Sequence, residues 1–143
     1  MTDSRPETIE HIGIALWRAA WAWRAEMRRE MARRGYPWHR EARGEVLAHL
    51  GPSGRSQAEL VAAMGISKQA VQQLLDQLEA DGVIARIADP KDKRAKRVEL
   101  TQLGLEDFAV RNAVKRKIED DYRKRLGPER FAALVAALDQ LRK

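Results

Sequence analysis

The sequence predicts a mainly α-helical chain with one small β-hairpin, and three observations carry that prediction. Apolar residues recur at spacings of three and four through both ends of the chain. Two short helical segments meet across a tight glycine turn between Ser56 and Ala80. Directly after Asp81-Gly82 the period changes to that of a strand. Two helices and a hairpin in that order make a winged helix-turn-helix, here flanked by long N- and C-terminal helices.

The first helix is expected from Thr8 to Arg34, with Ile9, Ile12, Leu16, Ala20, Trp23, Met27 and Met31 as one stripe and Ile14, Trp17 and Trp21 as a second beside it. Such a helix has two surfaces to bury. Gly35-Tyr36-Pro37 ends it, because proline disfavours the helical region at the preceding residue. A second helix is expected over Arg40 to Leu50, turning Val46, Leu47 and Leu50 inward, although Gly44 costs it about 1 kcal/mol relative to alanine. After the turn at 51–54, Ser56-Gln57-Ala58-Glu59 is a capping box that opens a helix through Met64. Gly65 closes that helix and Ser67 caps the next. On the latter Ala70, Val71, Leu74, Leu75 and Leu78 share one arc, opposite Gln69, Gln72, Gln73 and Asp76.

The hairpin is expected as strands Val83–Ile87 and Lys96–Leu100 joined by a long charged loop over 88–95. Thr101 then caps a helix to about Arg125 with the stripe Leu103, Val110, Val114, Ile118 and Tyr122. Gly127-Pro128 breaks it before a last helix bearing Phe131, Leu134, Val135, Leu138 and Leu141. The terminal helices carry more apolar face than a small central module can cover, which points to two chains burying them together. Ile12, Leu16, Ile118, Tyr122, Phe131, Leu134 and Leu138 are the expected dimerisation residues. The organisation is thus a tail (1–7), an N-terminal dimerisation helix (8–35), a winged helix-turn-helix (36–100) and C-terminal dimerisation helices (101–143), one domain overall.

Composition narrows the function. With 143 residues, 44% of them hydrophobic and 34% charged, the chain has material for one core and a charged surface. A net charge of +6 favours a polyanionic partner. The absence of cysteine excludes disulfides, thiolate metal sites and cysteine nucleophiles. No apolar run reaches the length of a membrane span and the first ten residues are too polar for a signal peptide, so a cytoplasmic location and no membrane are expected. His11, His39 and His49 match no metal spacing, and no nucleophile, base and orienting group fall into a recognisable arrangement. Neither an enzyme, a metal nor a cofactor is expected.

The glutamine face raises the question of its partner. A glutamine amide can donate to N7 of adenine and accept from its N6 amino group, so Gln69, Gln72 and Gln73 are suited to major-groove readout beside Ser67 and Lys68. A solvated helix surface is the plainer reading of the same face. Lys91, Lys93, Arg94, Lys96 and Arg97 suit phosphate or minor-groove contact, or else keep a soluble hairpin apart from other strands. The alternation of a strand allows Lys96 or Arg97, but not both, to touch DNA. Trp17, Trp21, Trp23 and Trp38 fit either a dimer core or an aromatic-lined ligand pocket.

Over residues 8–142 the sequence resembles the MarR family of winged-helix bacterial transcription regulators. The resemblance is strongest in SQAELVAAMGISKQAVQQLLDQLEADGVIARIADPKDKRAKRVELTQLG, above all in the wing pattern Asp89-Pro90, Asp92, Arg94 followed by Val98, Leu100, Thr101 and Gly104. It implies a homodimer with interlocking terminal helices, its two recognition helices in successive major grooves of a pseudo-palindrome in double-stranded DNA. It also implies that Arg94 enters the minor groove with Asp92 placed to orient it. A repressor released by a small aromatic or phenolic effector is the implied activity, with Trp17, Trp38, His39 and Arg43 as candidate pocket residues. The competing readings are a winged helix used as a protein-interaction module and a DNA-architectural protein without an operator.

Overall fold

The computed structural model describes residues 4–142; residues 1–3 of the expected tail and Lys143 lie outside them. The first helix, α1, runs Ile12–Arg33. It begins later than its pattern, because His11 makes no side-chain cap and Ile9, 64% exposed, finds nothing in the protomer to pack on. Only its C-terminal half reaches the core, through Met27 and Met31.

The continuous helix expected over Arg40–Leu50 is not formed. A 3₁₀ turn occupies Pro37–Arg40 and a separate short helix, α2, Gly44–Leu47. Gly44 is the physical reason: a Cβ there would stand 2.8 Å from His39 Cα and 2.9 Å from the Trp38 carbonyl oxygen. The chain folds back on bare backbone where a straight helix was expected. Val46, Leu47 and Leu50 are nevertheless buried as the sequence implied.

The two capped helices form as read. Ser56 Oγ accepts from the Glu59 N–H at 3.1 Å to open α3 (Gln57–Met64), although the Glu59 carboxylate lies 3.5 Å from Arg55 rather than reaching back to the cap. Gly65, at φ 67°, ends α3 in the left-handed conformation. Ser67 Oγ accepts from the Ala70 N–H at 3.1 Å and opens α4 (Lys68–Ala80). Val71, Leu75 and Leu78 are the buried side of α4.

The hairpin differs from its expected form. Its strands are β2 (Ile84–Asp89) and β3 (Asp92–Leu100), so pairing continues to a tip of only Pro90 and Lys91. The register passes from Ala88↔Lys96 directly to Asp89↔Asp92, which leaves Lys93, Arg94 and Ala95 bulged out of the ladder. Two aspartates hold this irregular tip: Asp89 accepts from the Lys91 N–H at 2.9 Å and Asp92 from the Arg94 N–H at 3.0 Å. A further strand, β1 (Arg55–Ser56), pairs antiparallel with β3 and gives a sheet of order β1-β3-β2.

Thr101 Oγ1 accepts from the Gly104 N–H at 3.2 Å and opens α5 (Gln102–Leu126). Gly127, at φ 83°, turns the chain into α6 (Pro128–Gln140). Gly104 lets α5 lie against the end of the recognition module, for a Cβ there would meet the Val83 carbonyl oxygen at 2.2 Å. Gly104→Ala is accordingly expected to lower stability by about 2 kcal/mol through overpacking, read as a lower urea midpoint at fixed slope.

One buried cluster unites these elements, with Met27 and Met31 of α1, Val46 and Leu47 of α2, Leu60 of α3, Leu75 and Leu78 of α4, Val98 of β3, and Val114 and Ile118 of α5. The architecture is therefore a winged helix seated between α1 and the long α5, with α6 beyond it. No described helix is long and apolar enough to cross a membrane.

Candidate nucleic-acid interface

The Ser67 cap fixes how α4 presents its first turn. Its Oγ accepts the Ala70 N–H, which leaves the hydroxyl hydrogen available to a phosphate oxygen. Lys68, Gln69 and Gln73 are exposed around it, at the end of the helix whose unsatisfied N–H groups attract anions. Gln72 is only partly exposed. Its Oε1 accepts from Arg86 Nη1 of β2 at 3.3 Å.

Arg86 was not singled out from the sequence. Its guanidinium also meets Asp76 and, through Nε at 3.2 Å, Glu79. Asp76 is thereby neutralised by β2, which removes the repulsion that an unpaired carboxylate would exert on a phosphate. Hydrogen bonding from Arg86 holds Glu79 below the usual carboxylate range. A signal existed: Gln72, Asp76 and Glu79 lie at i, i+4 and i+7 on one polar stripe, facing the single cation in the strand Val83–Ile87.

On the wing, Lys91, Asp92, Lys93, Arg94 and Lys96 are all exposed. Arg97 points away, with its Nη2 on the Ser53 carbonyl oxygen at 2.9 Å, so the alternation anticipated for Lys96 and Arg97 is present. Among the described residues no ion pair involves Lys68, Lys91, Lys93, Arg94 or Lys96, whereas Arg24, Arg28, Arg43, Arg86 and Arg111 of the scaffold are all paired with carboxylates. Asp92 acts on Arg94 through its backbone N–H, not its guanidinium.

The four candidate pocket residues do not come together. Trp17 is 68% exposed and stacks on Trp21 with ring centroids 5.8 Å apart. Arg43 is bound to Asp81 at 2.6 Å and to Glu41. Trp38 and His39 are buried against Asp107, with Trp38 Nε1 donating at 3.3 Å and His39 Nε2 at 2.7 Å from the same oxygen. Asp107 draws Trp38 and His39 together and Asp81 draws Arg43 elsewhere, partners far away in sequence, while Trp17 stays exposed on α1. Of the four, only His39 reaches a cavity of about 270 Å³ between α1, α2 and α5, whose wall includes Trp23, Met27, Met31, Arg111 and Lys115.

Sequence reasoning missed the charge in that cavity. Arg111 is 6% exposed and donates to Asp107 at 3.1 Å and to the Leu47 carbonyl oxygen at 2.8 Å, while its Nη2 is buried without a hydrogen-bond partner. Burial and the neighbouring Arg111 both push the Lys115 pKa down. Arg24 and Arg28 stand at the same cavity and share Glu45.

The expected dimerisation residues divide. Ile12, Leu134 and Leu138 are 69%, 43% and 41% exposed, and Leu16 lies on the same uncovered side of α1. Tyr122 and Phe131 are half-buried, Phe131 beneath the Arg123 guanidinium at 4.6 Å. Ile118 is a correction: it is 1% exposed within the protomer because α5 packs it into the cluster that holds Met27 and Met31.

Residues 42–95, which contain the capped helices and most of the wing, match the MarR family model. The winged helix of this chain is similar to the MarR family. Similar solved structures extend the likeness to nearly the whole chain. The transcriptional regulator PA3341 is 28% identical, with 92% of this chain and 95% of that one covered and a TM-score of 0.72. Apo MarR from E. coli is 20% identical over 94% and 98% of the two chains, at a TM-score of 0.74. The S. aureus MepR–DNA complex is 18% identical over 93% and 96%, at 0.69. The last two, at such identities, establish the shared fold. This chain shares the fold of these solved structures along nearly its whole length.

Proposed function

We propose that this chain is a sequence-specific DNA-binding transcriptional regulator, a homodimeric repressor that occupies a pseudo-palindromic operator. The observation that carries the reading is the shared character of the α4 first turn and the wing tip: exposed cations without acidic partners, beside exposed glutamines, on a scaffold whose arginines are largely paired. Unpaired cations release counterions when phosphates are neutralised, and amides discriminate base edges. The MepR–DNA complex of the same fold supports it.

Residues 8–35 and 101–143 serve dimerisation and 36–100 reads DNA. The uncovered apolar faces of α1 and α6 support a second copy as their cover. Two reading heads about 34 Å apart then meet successive major grooves. An anionic aromatic effector would find His39, Lys115 and the unpartnered Nη2 of Arg111 in the cavity between α1, α2 and α5, where its binding would change the separation of the heads. Benzoate or a related aromatic acid is expected to raise the melting temperature and lower operator affinity; no response to any aromatic acid removes the effector from the reading.

The deciding experiment is fluorescence anisotropy on labelled upstream fragments and scrambled duplexes of equal length across a salt series. Tight binding to one fragment with a specificity ratio that survives salt is expected. Equal, steeply salt-sensitive binding would instead make the protein architectural, and no binding at low salt would make the winged helix a protein-interaction module.

A further inference from the structure

We infer that Arg86 restricts Gln72 to reading guanine, so that the glutamines of α4 are not equivalent readers. The inference rests on the DNA-reading role proposed above and deepens it by naming the base.

The geometry begins with a fixed guanidinium. Arg86 is 15% exposed, and its backbone N–H donates to Glu79 at 3.3 Å while Nε and Nη2 reach the same carboxylate at 3.2 and 3.3 Å. Asp76 takes a further Nη2 bond. Two carboxylates thus hold the group in place, and Nη1 remains to meet Gln72 at 3.3 Å. Guanidinium has five donors and no acceptor, so the amide end that faces it is the carbonyl, irrespective of how the oxygen and nitrogen of a glutamine are assigned. The Gln72 N–H groups therefore point away from Arg86.

The chemistry of the groove follows from that orientation. Adenine is matched by a glutamine that donates to N7 and accepts from N6–H₂, which requires both ends of the amide. Gln72 cannot turn its carbonyl into the groove without giving up a charge-assisted bond. With donors alone on offer, guanine fits best, since its N7 and O6 are both acceptors. Thymine presents one acceptor beside a methyl group, and cytosine presents an amino donor. Gln69 and Gln73 are exposed and have no such tether among the described residues, so they keep both amide ends for adenine.

The test selects duplexes from a randomised library with the intact protein, then measures anisotropy on single-base variants of the selected site for wild type, Gln72→Ala and Arg86→Lys. Wild type is expected to prefer guanine over adenine by about tenfold at one position per half-site, and Gln72→Ala to level that position. Arg86→Lys keeps the charge but loses the fork, so the preference should fall toward parity. The comparison of wild type with Gln72→Ala leaves Arg86 intact and decides the matter even if Arg86→Lys folds poorly. Adenine at the position that Gln72→Ala levels, or a guanine preference unchanged in folded Arg86→Lys, overturns the inference while leaving the regulator reading in place. Absence of any sequence preference in wild type overturns both.

Discussion

Arg94→Ala is expected to weaken operator binding by about 100-fold, the sum of roughly 1.5 kcal/mol from each wing of the proposed dimer. Arg94 stands in the bulge at the end of the β2–β3 hairpin, exposed and in no ion pair among the described residues. Its guanidinium does nothing for the fold, so stability should change by no more than about 0.5 kcal/mol. Asp92 pins the backbone N–H of Arg94, so Asp92→Ala should also weaken binding, but less, by loosening the tip rather than deleting the charge. The salt slope of log affinity should become shallower in Arg94→Ala by the phosphates no longer neutralised. An unchanged affinity in the anisotropy titration would show that the wing is not a DNA contact.

Asp107→Ala is expected to cost about 3–5 kcal/mol, because it strands a buried charge. Asp107 is fully buried and accepts from Trp38 and Arg111, with His39 2.7 Å away. Removing it leaves Arg111 buried with the Leu47 carbonyl oxygen as its one remaining hydrogen-bond partner among the described residues, and two ring nitrogens without their partner. At fixed protein concentration the melting temperature should fall by about 10 °C. Trp38→Phe, which deletes a single 3.3 Å bond and shrinks the buried indole to a phenyl ring, should cost about 2 kcal/mol. Equal losses in the two variants would mean that the aromatic packing, not the carboxylate, holds this junction.

The features legible in the sequence are those fixed by local chemistry. Ser56, Ser67 and Thr101 each accept the backbone N–H that a cap requires, and Gly65 takes the left-handed turn between α3 and α4. The inward arc of α4 was equally plain, since Val71, Leu75 and Leu78 recur at helical spacing. What escaped depends on how the chain folds back on itself. Gly44 reads as a weak helix position until the Trp38 carbonyl is seen against it. β1 is two residues long and exists only through β3. Asp107 occupies a place in the apolar stripe of α5 between Leu103 and Val110, and such a charged interruption with Arg111 one turn on marks a buried pair. Ile118 shares a period with Tyr122, and periodicity cannot tell a face buried within one chain from a face buried between two.

The sixth helix buries none of its side chains within the protomer, and Leu134, Val135 and Leu138 remain uncovered. A helix of that length whose main tertiary support is the half-buried Phe131 beneath Arg123 is marginal in water. On the proposed dimer its order comes with the second copy, which makes folding itself a matter of mass action. Dilution should then loosen the carboxyl-terminal end of the chain before the reading head. A falling cellular level of the protein would empty the operator more steeply than simple occupancy predicts.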